Sequence, residues 1–118
     1  MPQLDLTILH VASATDSAAF YARLLGQAPE EASATFALFR SGPGAGIGLW
    51  QRDGVEPSSA GAPGNSELAF LAPDVDAVHA EWAAAGVTIL QPPTDMDFGR
   101  CFTAQDPDGH RLRVFRPG

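Results

Sequence analysis

The stretch Leu68-Ala-Phe-Leu-Ala-Pro-Asp-Val-Asp-Ala-Val-His-Ala-Glu-Trp-Ala-Ala-Ala-Gly86 holds a strand, a cap and a helix in succession. The apolar run Leu68–Ala72 reads as a strand that Pro73 ends, and Asp74 stands where a helix N-cap is needed. Val75, Val78, Trp82 and Ala85 then recur at helical spacing as one apolar stripe. Gly86 closes the helix, because only glycine enters the left-handed conformation past a helix end without strain. The same order occurs earlier in the chain. An apolar run, Leu6 to Ala12, leads through polar residues into a helical stretch Asp16–Leu25, closed by Gly26. Phe20 and Leu24 share one face of that helix, with Tyr21 and Leu25 beside them. The two closing glycines lie about half a chain apart, so the sequence carries an internal repeat of pattern, with little identity between its copies.

After each helix come short strand segments. Thr35–Arg40 and Gly46–Gln51 follow the first; Val87–Leu90, Gly99–Gln105 and His110–Arg116 follow the second. Asp106-Pro-Asp-Gly109 reads as the tight turn between the last two. Arg52 to Asn65 is rich in Pro, Gly, Ser and Ala and reads as a linker. Each half is therefore βαβββ-like, and neither buries its sheet alone. The expected class is α+β: two βαβββ modules forming a curved mixed sheet, with helices outside and a concave cleft inside. One domain is expected over 1–118, with module 1 at about 1–52, a linker at about 53–65 and module 2 at about 66–118.

Composition narrows the partners. The chain has 118 residues with 45% apolar content, which is a single-domain length and a globular composition. Its seven basic residues are all Arg, against 14 acids, for a net charge of −7 at pH 7. That field repels phosphate backbones, so neither nucleic acid nor an anionic membrane is an expected partner. No run of apolar residues is long enough to span a bilayer, and the N-terminus lacks a secretory signal pattern. A single cysteine, Cys101, cannot form an internal disulfide, which agrees with a cytoplasmic location. Neither a nucleophile elbow nor a phosphate-binding loop is present; Gly42–Gly48 is glycine-rich but no helix follows it.

The segments Ser17–Gly26, Leu68–Phe70 with Asp76-Ala-Val, Ala85–Ile89, Phe98-Gly-Arg and Asp106–Arg113 resemble, in order and spacing, the vicinal oxygen chelate superfamily. That superfamily includes glyoxalase I, extradiol dioxygenases and the bleomycin- and fosfomycin-resistance proteins. The resemblance implies its fold and, in its enzymes, inward-facing ligands to a divalent metal. Those ligand positions fall on Leu6, Glu67 and Arg113. Leu6 has no donor atom and Arg113 is a permanent cation, so no metal and no other cofactor is expected, and no catalytic residue is assigned. Of the histidines, His79 reads as a flanking helix residue and His110 as a turn or packing residue. His10 shares strand parity with Leu6 and Ile8, and is either a polar strand end or a residue at the cleft rim.

Strand parity also lists the residues that face away from the helices. If Glu67 and Arg113 face the cleft, so do Ala69, Leu71, Arg111 and Phe115, while Leu68, Phe70, Leu112 and Val114 pack on the helix. In Gly46-Ile-Gly-Leu-Trp50, Ile47 and Leu49 fit the helix side. Trp50 would then face the cleft with an open slot over Gly46 and Gly48, suited to stacking a flat ligand. Trp50 in a dimer contact is the competing reading. Leu49-Trp50, Glu56-Pro57, Ser66-Glu67, Phe98-Gly-Arg-x-Phe102, Asp106–His110 and Arg113 resemble the metal-free phenazine-antibiotic resistance proteins within the superfamily. That resemblance implies a homodimer binding a small planar aromatic molecule without transforming it. Trp50, Gly48, Phe98, Glu67, Arg113 and His10 are the candidate ligand-binding residues. The alternatives are a metal-dependent lyase, isomerase or dioxygenase with an atypical ligand set around Glu67 and His10, and a regulatory domain without a ligand.

Overall fold

Both helices start at a side chain that satisfies an orphan backbone donor. In the computed structural model, which describes residues 4–40, 42, 45–56 and 66–118, the Ser13 hydroxyl accepts from the Asp16 N–H at 3.1 Å. This opens α1, Ala14–Leu25. Likewise the Asp74 carboxylate accepts from the Ala77 N–H at 3.0 Å and opens α2, Val75–Ala84. Gly26 ends α1 at φ 67°, a conformation in which a Cβ would be strained. The helix start at Ala14 precedes the expected Asp16 because Ser13, rather than a later residue, supplies the cap.

The chain divides into two compact units, Met1–Pro63 and Gly64–Gly118. In the first, β1 (Leu6–Val11), β2 (Glu31–Ala32), β3 (Phe36–Arg40) and β4 (Gly46–Gln51) form a sheet in the order β1-β4-β3-β2. In the second, β5 (Glu67–Leu71), β6 (Thr88–Met96), β7 (Gly99–Gln105) and β8 (Arg111–Pro117) form a sheet in the order β5-β8-β7-β6. The first and last strands of each unit pair in parallel and the rest are antiparallel. The architecture is α+β, with the same strand order in both halves.

Each unit packs its helix against one sheet face. Leu9 and Val11 of β1, Ala37 and Phe39 of β3 and Leu49 of β4 are buried with Ala14, Ser17 and Tyr21 of α1. The Tyr21 and Phe39 rings meet 6.5 Å apart. Tyr21 thus leads the buried face, while Phe20 and Leu24 remain half-buried. In the second unit Phe102, Ala104, Leu112 and Val114 are buried with Val75 and Trp82. Trp82 meets Phe70 and Phe102 edge-on at 5.9 and 5.4 Å, and His79 flanks Phe102 at 5.3 Å. Ala85, expected in the stripe, lies just past the helix and is exposed. Arg100 reaches from β7 to Asp76 of α2 at 2.9 Å and to Asp95 of β6 at 3.0 Å, tying helix to sheet.

Three elements depart from the sequence reading. β2, only two residues long, was not expected, because so short a strand has no alternation to read. β6 runs from Thr88 to Met96, well past Leu90 and through Pro92 and Pro93. Proline cannot donate to a ladder, but β6 is an edge strand with register shifts between Ile89 and Thr94, where prolines are tolerated. The expected linker begins with structure: Arg52–Gly54 forms a 3-10 turn and Val55 is buried. The rest of the linker, 57–65, lies outside the described residues.

Candidate functional site

The sheet face that each helix leaves uncovered carries the candidate residues, and the two faces differ. On the first unit, burial of Leu9, Val11 and Leu49 against α1 sends Leu6, Ile8 and His10 of β1 and Gly46, Gly48 and Trp50 of β4 to the other side. His10 pairs with Trp50 across β1 and β4, and Phe36 pairs with Trp50 across β3 and β4. The three rings form a cluster: His10 and Phe36 each stand nearly perpendicular to the indole, with centroids 6.4 Å away. Trp50 is half-buried and Ile8 is exposed, so part of this surface meets solvent.

The slot expected over Gly46 and Gly48 is filled. A Cβ built on Gly48 would lie 3.1 Å from both Leu6 Cδ1 and Phe36 Cζ. One on Gly46 would lie 2.9 Å from Leu6 Cβ and 3.1 Å from Arg40 Nη1. These glycines give their space to Leu6, Phe36 and Arg40 of the same unit. Parity identified the glycines' face, but the ring that fills it, Phe36, comes from β3 and lies ten residues before Gly46 in sequence.

On the second unit, burial of Leu112, Val114, Phe102 and Ala104 sends Glu67, Ala69 and Leu71 of β5 to the uncovered face. Arg111, Arg113 and Phe115 of β8 and Cys101 and Thr103 of β7 join them there. Arg113 sits against Glu67 in fork geometry: Nε donates to Oε2 at 2.9 Å and Nη2 to Oε1 at 3.3 Å. Its Nη1 points at Cys101 Sγ, 3.5 Å away. The hydrogen bond from Arg113 holds the Glu67 carboxyl below the ordinary glutamate range, partly opposed by burial and reinforced by the charges of Arg113 and Arg111. The same pairing raises Arg113 above an already permanent charge.

Gln91 of β6 completes this cluster, with its Oε1 accepting from the Thr103 hydroxyl at 3.3 Å. Toward the other end of the face the surface turns apolar. Leu71 pairs with Phe115, Phe115 with Cys101, and Met96 Sδ lies 3.4 Å from Cys101 Sγ. Phe98, in the tight turn between β6 and β7, is 48% exposed and meets Phe115 edge-on at 6.4 Å. Leu71 and Met96 are exposed as well. Gln91 and Met96 lie beyond the sequence reading of β6, which ends at Leu90, whereas Thr103 falls within the expected strand Gly99–Gln105 and carries no local signal of its partner. Phe36 escaped the sequence reading because no local signal marks a strand residue that covers a glycine two strands' width of sequence away.

The superfamily's metal does not fit these residues. Leu6 offers only carbon and is packed into the first unit's sheet, while the Glu67 oxygens are both engaged by Arg113. A guanidinium held on the carboxylate excludes a second cation from it by charge and by space. Elsewhere, Asp106, Asp108 and His110 bring ligand-type atoms within 4.8 Å of one another. Here Asp106 Oδ1 accepts from the N–H groups of Asp108 at 2.9 Å and His110 at 2.8 Å, and Oδ2 lies 2.8 Å from His110 Nδ1. The carboxylate thereby closes the turn before β8, and His110 is the buried turn histidine that the sequence implied.

Residues 3–114 match the Glyoxalase/Bleomycin resistance protein/Dioxygenase superfamily. The chain is 32% identical to the phenazine antibiotic resistance protein EhpR of Enterobacter agglomerans, over 93% of its own length and 88% of that protein's. Its fold is similar to that of protein ATC0852 from Agrobacterium tumefaciens, at 46% identity and a TM-score of 0.87, covering 100% of this chain and 99% of that one. It is also similar to a glyoxalase/bleomycin resistance protein/dioxygenase from Nocardioides, at 25% identity and a TM-score of 0.82, covering 99% and 84%. With the repeat, the strand order and these likenesses in agreement, the chain belongs to the glyoxalase/bleomycin resistance/dioxygenase superfamily.

Proposed function

We propose that this protein binds a small planar aromatic compound of the phenazine type without transforming it, and so confers resistance by sequestration. The observation that carries this reading is the ring cluster of Trp50, Phe36 and His10 on the uncovered face of the first unit. A half-buried indole fixed by two perpendicular neighbours is a rigid wall for stacking, with little ordering cost on binding. Gly48 contributes through its missing side chain, which admits Phe36 beside Trp50. On the second unit Phe98, Glu67 and Arg113 are assigned to ligand contact. The likeness to EhpR, named for phenazine resistance, supports a tricyclic ligand. The ion pair at Glu67 supports binding over metal chemistry.

The test is titration with phenazine, following indole fluorescence in a Trp82→Phe background, since the chain has two tryptophans. Quenching is expected, and Trp50→Ala should weaken binding by about 2 kcal/mol, roughly 30-fold, as truncation of an aromatic anchor does. Binding that survives Trp50→Ala unchanged would assign the indole to packing and remove this reading.

The proposal includes a homodimer and a cytoplasmic location. Leu71, Phe98 and Met96 form an exposed apolar area on the second unit, and β1 and β5 stand at sheet edges, surfaces that a second copy can cover. Sedimentation at micromolar concentration should give twice the 12.4 kDa chain mass; a monomer would end the dimer proposal. No helix among the described residues is long and apolar enough to cross a membrane.

A further inference from the structure

The chain carries three sulfur atoms, in Met1, Met96 and Cys101, and the second unit brings two of them together. Cys101 of β7 is fully buried, and its thiol donates to Met96 Sδ at 3.4 Å. The meeting depends on an irregularity of β6. Gln91 pairs with Thr103 and Thr94 with Cys101, so three steps along β6 match two along β7, and the extra residue lies at Pro92–Pro93. In an unbroken ladder, alternation from Gln91 would turn Met96 to the face opposite Cys101. The bulge reverses that parity and makes Met96, two residues past Thr94, the diagonal neighbour of Cys101 on the uncovered face. Met96 is 42% exposed, so the sulfur pair opens to solvent on the methionine side.

We propose that Cys101 and Met96 form a two-coordinate site for a soft monovalent cation of the Cu(I) class. Thiolate and thioether sulfurs are polarizable donors that select such an ion over harder ones. On binding, the ion takes the place of the thiol proton between the two sulfurs. The S–H bond breaks, a sulfur–metal bond forms, and the proton leaves to solvent. Metal–sulfur bonds of about 2.3 Å need the sulfurs about 4.0–4.6 Å apart, depending on the angle at the metal, so Met96 must retreat by about 1 Å. Its unbranched side chain, at the exposed end of an edge strand, permits that movement while Cys101 stays in place. Charge balance favours a monovalent ion. Arg113 Nη1 lies 3.5 Å from Cys101 Sγ, and Glu67 neutralises that guanidinium. The thiolate adds one negative charge to this neutral pair, which one positive charge cancels. A divalent ion would leave a positive charge beside Arg113, and the exposed Arg111 on the same face weighs further against it. Neither sulfur is among the residues assigned to the aromatic ligand.

The experiment is anaerobic competition for Cu(I) between the full chain and bathocuproine disulfonate, followed by the chelator's visible absorbance. Cu K-edge absorption of the loaded protein counts the sulfur ligands. The expected result is about one Cu(I) per chain with sulfur from both side chains, and no stoichiometric uptake of Zn(II), which favours four donors. Met96→Leu keeps the volume and apolar character of the side chain, and a thermal melt confirms that it is folded. It should weaken Cu(I) binding roughly 10–100-fold, the scale on which even outer-shell changes act, and remove one sulfur from the count although Met1 remains. Failure of the parent to draw Cu(I) from the chelator overturns the proposal. So does Zn(II) uptake of equal affinity, or an unchanged affinity and sulfur count in folded Met96→Leu. None of these outcomes bears on aromatic binding, which the phenazine titration tests separately.

Discussion

The two uncovered sheet faces are register equivalents with opposite contents. In the first unit Leu6 pairs with Gly46, Ile8 with Gly48 and Phe36 with Trp50. In the second, Glu67 pairs with Arg111, Ala69 with Arg113 and Cys101 with Phe115. Gly48 thus corresponds to Arg113, Leu6 to Glu67 and Phe36 to Cys101. Where the last strand carries no side chain, its neighbours Leu6 and Phe36 lean over it. Where it carries a long guanidinium, the neighbours are a carboxylate that holds it and a small thiol that lies beneath it. One backbone frame accommodates both because the volume is conserved locally and exchanged between strands. The consequence is chemical: one face offers rings, the other offers charge, on the same strand order.

That exchange is open to direct attack. Gly48→Leu should cause the largest loss, about 2–3 kcal/mol, because its side chain must displace Phe36 and Leu6. Adding Phe36→Ala should restore part of the stability, and denaturant unfolding of the single and double variants checks this. If Phe36→Ala only adds to the loss, the ring and the glycine are not complementary. On the second face, Arg113→Met should cost about 1–2 kcal/mol. The side chains of Arg113 and Glu67 are 20% and 41% exposed, which places the loss below that for a fully buried pair. The double change Glu67→Gln with Arg113→Met should be less destabilising than the sum of the singles, and additivity in the cycle would show that the pair does not couple.

The smallest effect is on pH dependence. Glu67 is depressed in the folded state, so its contribution is complete above the unfolded pKa and is lost as pH falls through the lower folded value. The stability difference between the parent and Glu67→Gln should therefore narrow by less than about 1 kcal/mol on acidification below the ordinary glutamate range. It should stay constant from pH 6 to 8, and melting curves across both ranges check the sign. No comparable change is expected for Phe36→Ala, since the ring face has no acid at its centre.

Strand alternation made much of this site legible. Ile47 and Leu49 against Gly48 and Trp50, and Leu112 and Val114 against Arg113, needed only the period of two and a decision about which face met the helix. Adjacency of Glu67 and Arg113 could also be anticipated, because β5 and β8 hold the same places in their unit as β1 and β4 in theirs. The occupant of the space over Gly48 was not legible. It depended on which strand lay on the other side of β4 and at what register, and Phe36 looks in sequence like any alternating strand residue. Gln91 was hidden for a related reason: two prolines ordinarily end a strand, and only the edge position of β6 lets it continue.

Local signals thus determined the elements themselves: Asp74 and Gly26 as helix punctuation, the turn at Asp106–Gly109, the repeat, and the choice of arginine and leucine where a metal would need donors. These depend on covalent geometry and side-chain chemistry that act within a few residues, so the sequence carries them openly. Tertiary structure alone decided that Leu6 and Phe36 fill the glycine slot and that Gln91 and Met96 join the second face from a strand that runs through two prolines. Each of those outcomes is set by how side chains from separate strands share one volume and one set of hydrogen bonds, and no single segment contains that information.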